Sequence, residues 1–178
     1  MTGTAIVVSG LPASGKTSIG KALASELALP FLDKDLFLET LFDERGIGDG
    51  DWRRRLSMEA DIQFEAEACR FKTAVLVSHW RPGAVLNTGT PTEWIDDHFS
   101  RIVEVHCACS PETAAGRFYG RRRHRGHLDD HRTHTEIRSW LTGLAPHYPL
   151  GMGSLVEIST ETWPMFGALT ETVKGLMH

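Results

Sequence analysis

The chain has 178 residues, of which 41% are hydrophobic and 24% are charged, and its formal net charge is −4 at pH 7. This length fits a single domain over residues 1–178 with a full hydrophobic core. The negative net charge argues against a nucleic-acid or anionic-membrane partner, and no apolar stretch approaches the roughly 18 residues needed to span a bilayer. Three cysteines make an odd count, which argues against a disulfide framework and favours a cytoplasmic location.

A phosphate-binding pattern, G-x-x-x-x-G-K-S/T, follows the first predicted strand at residues 5–8. Its glycines let the backbone form a nest whose N–H groups point at phosphate oxygens, and a helix pattern follows directly. Lys16 can reach the β- and γ-phosphates, and the Thr17 hydroxyl can take a Mg²⁺ position. The predicted nucleotide-binding residues of this loop are Gly10, Leu11, Pro12, Ala13, Ser14, Gly15, Lys16, Thr17 and Ser18.

Two carboxylates follow the second predicted strand, residues 31–32, and precede a weak helix over 36–42. Ligands of parallel sheets bind at the carboxyl ends of the strands, and alternate residues leaving a strand point the same way. Asp33 and Asp35 are therefore predicted to face the site. Phosphoryl transfer to an alcohol needs one carboxylate for the hydroxyl and another that organises Mg²⁺. A solvated acidic turn is the structural alternative.

A long helix is predicted over residues 52–71, beyond a glycine-rich turn. Near its start, Arg53 or Arg54 is a candidate for binding a carboxylate or phosphate on the acceptor, although either could be a solvated helix residue.

A candidate substrate-recognition loop follows the third predicted strand, residues 74–77. It contributes His79, Trp80 and Arg81. In the alternative, Trp80 only packs and Arg81 is a surface residue. Further along, Thr90 is predicted to cap a helix that has Pro91 at its first position.

Five arginines lie within residues 117–125, on the helix that follows the fourth predicted strand, residues 102–109. Arg117 and Arg121 would share one helix face at i, i+4. Together with Arg125 they are predicted to form a lid over the transferred phosphoryl group. The alternatives are a solvated basic face and a nucleic-acid patch. A zinc site at His124, His127, His131 and His134 is disfavoured, because the arginines around them would repel a dication.

The remaining pattern completes an alternation of strands and helices. Thr133 and Glu136 predict a capping box, and residues 155–158 predict the last strand before a C-terminal helix. Such an alternation predicts right-handed βαβ units and a parallel sheet covered on both faces. The predicted fold is therefore a three-layer α/β P-loop NTPase domain with a five-stranded parallel sheet and an arginine-rich lid over about residues 117–135. Fold analogy places adenine near residues 159–162.

Three segments resemble small P-loop kinases that phosphorylate hydroxyl compounds. Residues 10–17 resemble the loop of a broad group of kinases that carry an AAA-type label. Residues 31–35, Phe-Leu-Asp-Lys-Asp, resemble the Phe-x-Asp-x-Asp segment of shikimate kinases. Arg117, Arg121 and His124 resemble the Arg-x₃-Arg-x₂-His lid of gluconate kinases.

The resemblance to shikimate kinases implies that Asp33 helps to hold Mg²⁺ through water and that Asp35 contacts the acceptor hydroxyl. No aspartate follows the third strand as in a conventional Walker B site, which also leaves Asp33 as the magnesium-side carboxylate.

The resulting hypothesis is transfer of the ATP γ-phosphoryl group to a hydroxyl of a small molecule such as a sugar acid or an antibiotic. Its predicted catalytic residues are Lys16, Asp35, Arg117 and Arg121, and its cofactors are ATP and Mg²⁺. A nucleoside or nucleotide kinase and a non-catalytic ATP-sensing module remain open. A polynucleotide kinase is disfavoured by the net charge, and the guanine-reading Asn-Lys-x-Asp of a GTPase is absent.

Overall fold

Five parallel strands form the centre of the molecule in the computed structural model, which describes residues 3–81, 88–129, 132–162, 164 and 166–177. The strands lie in the order β2-β3-β1-β4-β5. Their bounds are β1 (Thr4–Ser9), β2 (Phe31–Asp33), β3 (Thr73–Val77), β4 (Arg101–Ala108) and β5 (Ser154–Ser159). Every residue of β1 is buried, as expected for a central strand covered on both faces. The predicted five-stranded parallel sheet is confirmed.

Helices cover both faces of this sheet. They are α1 (Lys16–Leu27), α2 (Lys34–Arg45), α3 (Gly50–Ala68), α4 (Glu93–His98), α5 (Pro111–Gly120), α6 (His134–Leu144) and α7 (Phe166–Leu176). Leu23 of α1 and Val173 of α7 pack on one face, while Phe64 of α3 and Ile95 of α4 pack on the other. Burying each such side chain contributes about 1.5–3 kcal/mol. None of the helices in the described ranges is long and apolar enough to cross a membrane.

The strand register brings three loops to one edge of the sheet. Val8 of β1 lies opposite Val77 of β3, and Val77 lies opposite Asp33 of β2. The loops that follow these three residues therefore start at the same level, which is the edge where parallel sheets bind ligands.

The helix starts show which local signals are decisive. Ser110 caps α5, and Thr133 forms the predicted capping box with Glu136 on α6. The predicted cap at Thr90 is wrong, because α4 begins at Glu93. Thr90 instead is buried, and its hydroxyl donates to Asp61 at 2.7 Å. The Thr90 hydroxyl thus binds Asp61 of α3 instead of capping the helix that follows it.

The helix α5 ends at Gly120, earlier than the arginine spacing predicted. Arg121 follows with extended dihedral angles, φ −86° and ψ 148°. The prediction that Arg117 and Arg121 share a helix face is therefore wrong. Beyond them, the described part of the lid contains a short 3₁₀ turn, Arg125–His127, before α6.

A buried carboxylate joins the centre of the sheet to the segment that precedes β5. Glu104 of β4 has no exposed surface, and it accepts backbone N–H groups from Leu150, Gly151 and Met152 at 2.7, 2.9 and 3.0 Å. The Ser9 hydroxyl at the end of β1 also donates to it. These four donors compensate for the loss of water around the charge.

Candidate active site

The loop between β1 and α1 has the backbone of a phosphate nest. Gly10, Ala13 and Gly15 have positive φ angles of 133°, 65° and 99°. A Cβ atom at position 10 would lie 2.6 Å from the carbonyl oxygen of Cys107, so only glycine fits there. The Ser14 hydroxyl is buried without a hydrogen-bond partner in the described part of the chain, and such groups usually receive one from a ligand or water.

Lys16 lies folded against this loop. Its Nζ atom donates to the carbonyl oxygens of Gly10 and Leu11 at 3.0 and 2.8 Å. Burial lowers the pKa of Lys16 to about 8, because a low-dielectric environment disfavours the charged amine. An added anion would reverse that effect, so the site favours a negatively charged ligand beside Lys16.

Thr17 and Asp33 form an oxygen-rich pair at the start of α1 and the end of β2. The Thr17 hydroxyl donates to Asp33 Oδ2 at 2.8 Å, and Asp33 Oδ1 accepts the backbone N–H of Asp35 at 3.0 Å. Burial and the neighbouring Asp35 raise the pKa of Asp33, so a nearby cation would stabilise its charged form. A hydroxyl and a carboxylate are suitable ligands for Mg²⁺.

The described residues contain no group of three His, Cys, Asp or Glu side chains arranged to hold a metal. Mg²⁺ does not require one, because it keeps several waters and takes only one or two carboxylates beside substrate phosphates. His131, a member of the zinc alternative, lies outside the described residues.

Asp35 meets the lid through an ion pair with Arg123. The same guanidinium donates to Asp129 Oδ2 at 2.9 Å, so two carboxylates hold it. Burial would raise the pKa of Asp35, but Arg123, His127 and Lys34 outweigh burial and hold it below its usual range. Asp35 is therefore ionised, and 44% of its side chain remains exposed for a ligand.

Arg123 is a candidate site residue that the sequence did not predict. The lid prediction named Arg117, Arg121 and Arg125 because it relied on helical spacing. Arg123 belongs to an irregular segment after α5, and its partner Asp35 is 88 positions away along the chain. Local sequence carried no signal that separates it from the adjacent Arg122.

The predicted lid arginines divide between two ends of the site. Arg121 lies within electrostatic range of Lys16 and Asp35. Burial and the nearby Arg123 lower the pKa of Arg121 to about 10. Arg125 lines a cavity of about 210 Å³ in the lid, together with Arg121 and Arg123.

Arg117 points toward the segment that is predicted to hold adenine. Its guanidinium donates to the carbonyl oxygen of Glu161 at 3.0 Å. The Glu161 carboxylate in turn accepts the backbone N–H of Ser110 and the hydroxyl of Thr113 at the start of α5. The adenine segment is thus tied to α5, and Arg117 is oriented toward it instead of toward Asp35.

Arg53 and Arg54 have opposite environments, although they are adjacent. Arg53 is partly buried near Asp35, Asp129 and Arg123, and burial lowers its pKa. Its Nε atom is buried and lacks a hydrogen-bond partner among the described residues. The Arg54 side chain is 76% exposed and pairs with Asp51 at 3.7 Å. Of these two arginines, Arg53 is therefore the one that lies near Asp35, the carboxylate predicted to contact the acceptor.

The loop after β3 contributes Trp80 to the core and His79 to the site, and the predicted role of Arg81 in acceptor binding stays a prediction. Trp80 has no exposed surface, and its indole N–H donates to the Val8 carbonyl at 2.9 Å. It packs as a core residue, so we do not retain it among the acceptor-binding residues. Burial and Lys16 lower the pKa of His79 to about 4, so its ring is neutral. Arg81 donates to the Gly89 carbonyl at 3.2 Å and keeps a buried Nε without a partner in the described structure.

A buried polar cluster under the acceptor side was not predicted from the sequence. Lys34 donates to the Ser57 hydroxyl at 2.5 Å and lies 3.5 Å from Asp61. Asp61 accepts the Thr90 hydroxyl, which also shares a hydrogen bond with Ser78. The cluster ties the start of α2 to α3 and to the loop after β3.

The AAA domain family matches residues 6–138, a span that includes the phosphate loop, both aspartates and the whole lid. This chain belongs to the AAA domain family. The match of this AAA domain ends within α6, before β5 and α7.

Solved structures and curated proteins add likenesses to kinases. An inferred kinase from Chloroflexus aurantiacus is 28% identical, with a TM-score of 0.85 over 100% of both chains. A shikimate kinase from Bacteroides thetaiotaomicron is 21% identical, with a TM-score of 0.60 over 98% of both chains, which shows a shared fold. A shikimate kinase of Bacteroides fragilis is 45% identical over 49 residues, 23% of this chain and only 27% of that enzyme. These likenesses confirm the P-loop NTPase fold and the resemblance to shikimate kinases. A gluconokinase from Sinorhizobium meliloti, 17% identical with a TM-score of 0.51 over 99% of this chain and 98% of that chain, shares the fold.

Proposed function

We propose that this chain is an ATP-dependent kinase that transfers the γ-phosphoryl group to a hydroxyl of a small molecule. One observation carries the proposal. Asp33 joins Thr17 of the phosphate loop at 2.8 Å, and it also accepts the backbone N–H of Asp35 at 3.0 Å. A carboxylate for the donor side and a carboxylate for the acceptor side are therefore linked within one turn of chain.

On the donor side, the nest at residues 10–15 binds the phosphates through backbone N–H groups. Lys16 exchanges its two carbonyl partners for phosphate oxygens, and the Ser14 hydroxyl, which has no partner among the described residues, gains one. Thr17 and Asp33 would hold Mg²⁺, which supplies charge neutralisation between the phosphates when bound. The donor side thus fixes the direction of transfer.

On the acceptor side, Asp35 orients the hydroxyl and takes its proton, a role worth about 10²–10⁴-fold in rate. Its lowered pKa keeps it ionised before the acceptor arrives. The ion pair to Arg123 fixes the Asp35 carboxylate, so this group is already oriented before the reaction begins. Neutral His79 contributes hydrogen bonding without adding charge.

The charges around Asp35 indicate what kind of acceptor the site takes. Arg53 lies near Asp35 and has a buried Nε without a partner in the described structure. Guanidinium groups bind carboxylates and phosphates in a bidentate fashion. We therefore propose an acceptor that carries a hydroxyl and an anionic group. The likenesses to shikimate kinases and to the inferred kinase support the reaction class.

The test is ADP release by the purified protein with Mg-ATP across a panel of hydroxyl compounds that includes sugar acids, antibiotics and nucleosides. An acceptor that raises ADP release should lose about 10²–10⁴-fold of its effect in Asp35→Asn. Asp51→Asn is the matched control, because Asp51 is exposed at the start of α3.

ATP binding is measured separately on each variant. Acceptor-dependent turnover that is unchanged in Asp35→Asn would contradict the proposal. A flat panel with normal ATP binding would favour a non-catalytic ATP-sensing module, and a response to nucleosides alone would favour a nucleoside kinase.

A further inference from the structure

One side of α2 faces the lid along its whole length. Asp35, Glu39, Phe42 and Asp43 are spaced i, i+4, i+7 and i+8, which places them on one helix face. Each of the four contacts a lid residue. The proposed catalytic carboxylate is therefore the first member of a continuous docking surface.

His127 makes the most buried of these contacts. It is only 3% exposed, and its Nε2 lies 3.0 Å from Glu39 Oε1. Because a carboxylate only accepts, Nε2 carries the proton and donates. The ring also packs edge-on against Phe42, with 5.6 Å between the ring centroids.

His124 and Gly126 extend the surface around Phe42. The His124 ring stacks on Phe42 at 5.3 Å, and its Nε2 lies 3.2 Å from Asp43. A Cβ atom at position 126 would approach the Phe42 ring to less than 3.0 Å. A glycine is therefore required for the backbone of the lid to reach α2.

We propose that Glu39, Phe42 and Asp43 form a seat for the lid, and that His127 is a positioning residue whose docking there places Arg123 against Asp35. The docking stands on geometry alone, whereas its effect on phosphoryl transfer rests on the proposed function.

The seat responds to pH in a defined direction. Glu39 and Asp35 of α2 face His127 together with Arg123 of the lid. Burial and Arg123 lower the pKa of His127 below its ordinary value of 6.5, against the opposite effect of the carboxylates. A histidine with a lowered pKa in the docked state favours docking when neutral. The contribution of His127 to docking is therefore fully present above pH 6.5 and decreases as the pH falls below it.

Digestion with trypsin measures lid docking without a kinase assay, because trypsin cleaves after arginine and the lid contains several arginines. When opening is fast, the rate of cleavage follows the population of the open lid. The cut sites are identified by mass spectrometry at about pH 8 and about pH 6, which lie on either side of the ordinary histidine pKa of about 6.5. Rates are normalised to an unstructured peptide, and folding is checked by circular dichroism.

We expect His127→Ala to raise lid cleavage about tenfold at the higher pH, the value of one lost hydrogen bond to a charged group. Gly126→Ala should also raise lid cleavage, because a Cβ atom at position 126 would clash with the Phe42 ring. The wild-type lid should become more sensitive at the lower pH. His127→Gln retains an amide N–H for Glu39 but cannot titrate, so its lid should stay protected at both values. His134→Gln is the control, since His134 contacts Tyr119 instead of α2.

The proposal is overturned if His127→Ala is cut no faster than the wild type, or if His127→Gln becomes as sensitive as His127→Ala. With an identified acceptor, His127→Ala should raise the KM for the acceptor and leave the KM for ATP unchanged. Loss of protection in a protein that has no kinase activity would refute the proposed function and leave the lid seat standing.

Discussion

The phosphate loop and the lid both present positive charge to the same site, but they are held in place differently. Lys16 is bound by carbonyl groups five and six positions before it. Arg123 is bound by Asp129, six positions after it, and by Asp35, 88 positions before it. The loop is therefore a local structure that its own sequence maintains, whereas the lid depends on the rest of the fold. Substitutions in the phosphate loop should therefore abolish function, and substitutions in the lid should reduce it to different degrees.

The largest effect should come from a substitution in the phosphate loop. We expect Lys16→Ala to abolish turnover, because no other lysine or arginine of the loop can replace its charge at the phosphates. Its hydrogen bonds among the described residues are to two carbonyl groups, so the temperature of unfolding should change little. A variant with the wild-type rate would remove the loop from the mechanism.

An intermediate effect should separate two lid arginines. Arg121 lies near Lys16 and Asp35, so Arg121→Ala should lower kcat by about 10³-fold, the lower range for an arginine at the transferred phosphoryl group. Arg117 instead contacts Glu161, so Arg117→Ala should raise the KM for ATP and change kcat little. Steady-state kinetics with ATP and acceptor varied in turn measure both. Equal effects on kcat would show that the lid acts as one unit.

The same division explains what the sequence could predict. The strand-end rule placed Asp33 beside Thr17 correctly, because strand order and loop position follow from local hydrophobic patterns. The strand-end rule could not predict the contacts of Arg123 and Thr90. The partners of both, Asp35 and Asp61, are distant along the chain, and helical spacing misled the prediction once α5 ended at Gly120.

The smallest effect should distinguish two adjacent arginines of α3. Arg53 lies near Asp35 and has a buried Nε without a partner in the described structure, whereas Arg54 is exposed. We expect Arg53→Ala to raise the KM for an anionic acceptor about tenfold or more, the range for hydrogen bonds to charged groups. Arg54→Ala should leave that KM unchanged. An equal response of the two variants would place the acceptor elsewhere.

The Glu104 carboxylate sets a limit on how far this chain can be shortened. The AAA domain match ends at residue 138, yet the three backbone donors that satisfy Glu104 lie at residues 150–152. A chain cut at the end of the match would also remove β5, the neighbour of β4. It would leave a charge in the sheet without its hydrogen bonds, which is strongly destabilising. We therefore expect a chain that ends at residue 138 to be less stable than one that retains residues 150–152.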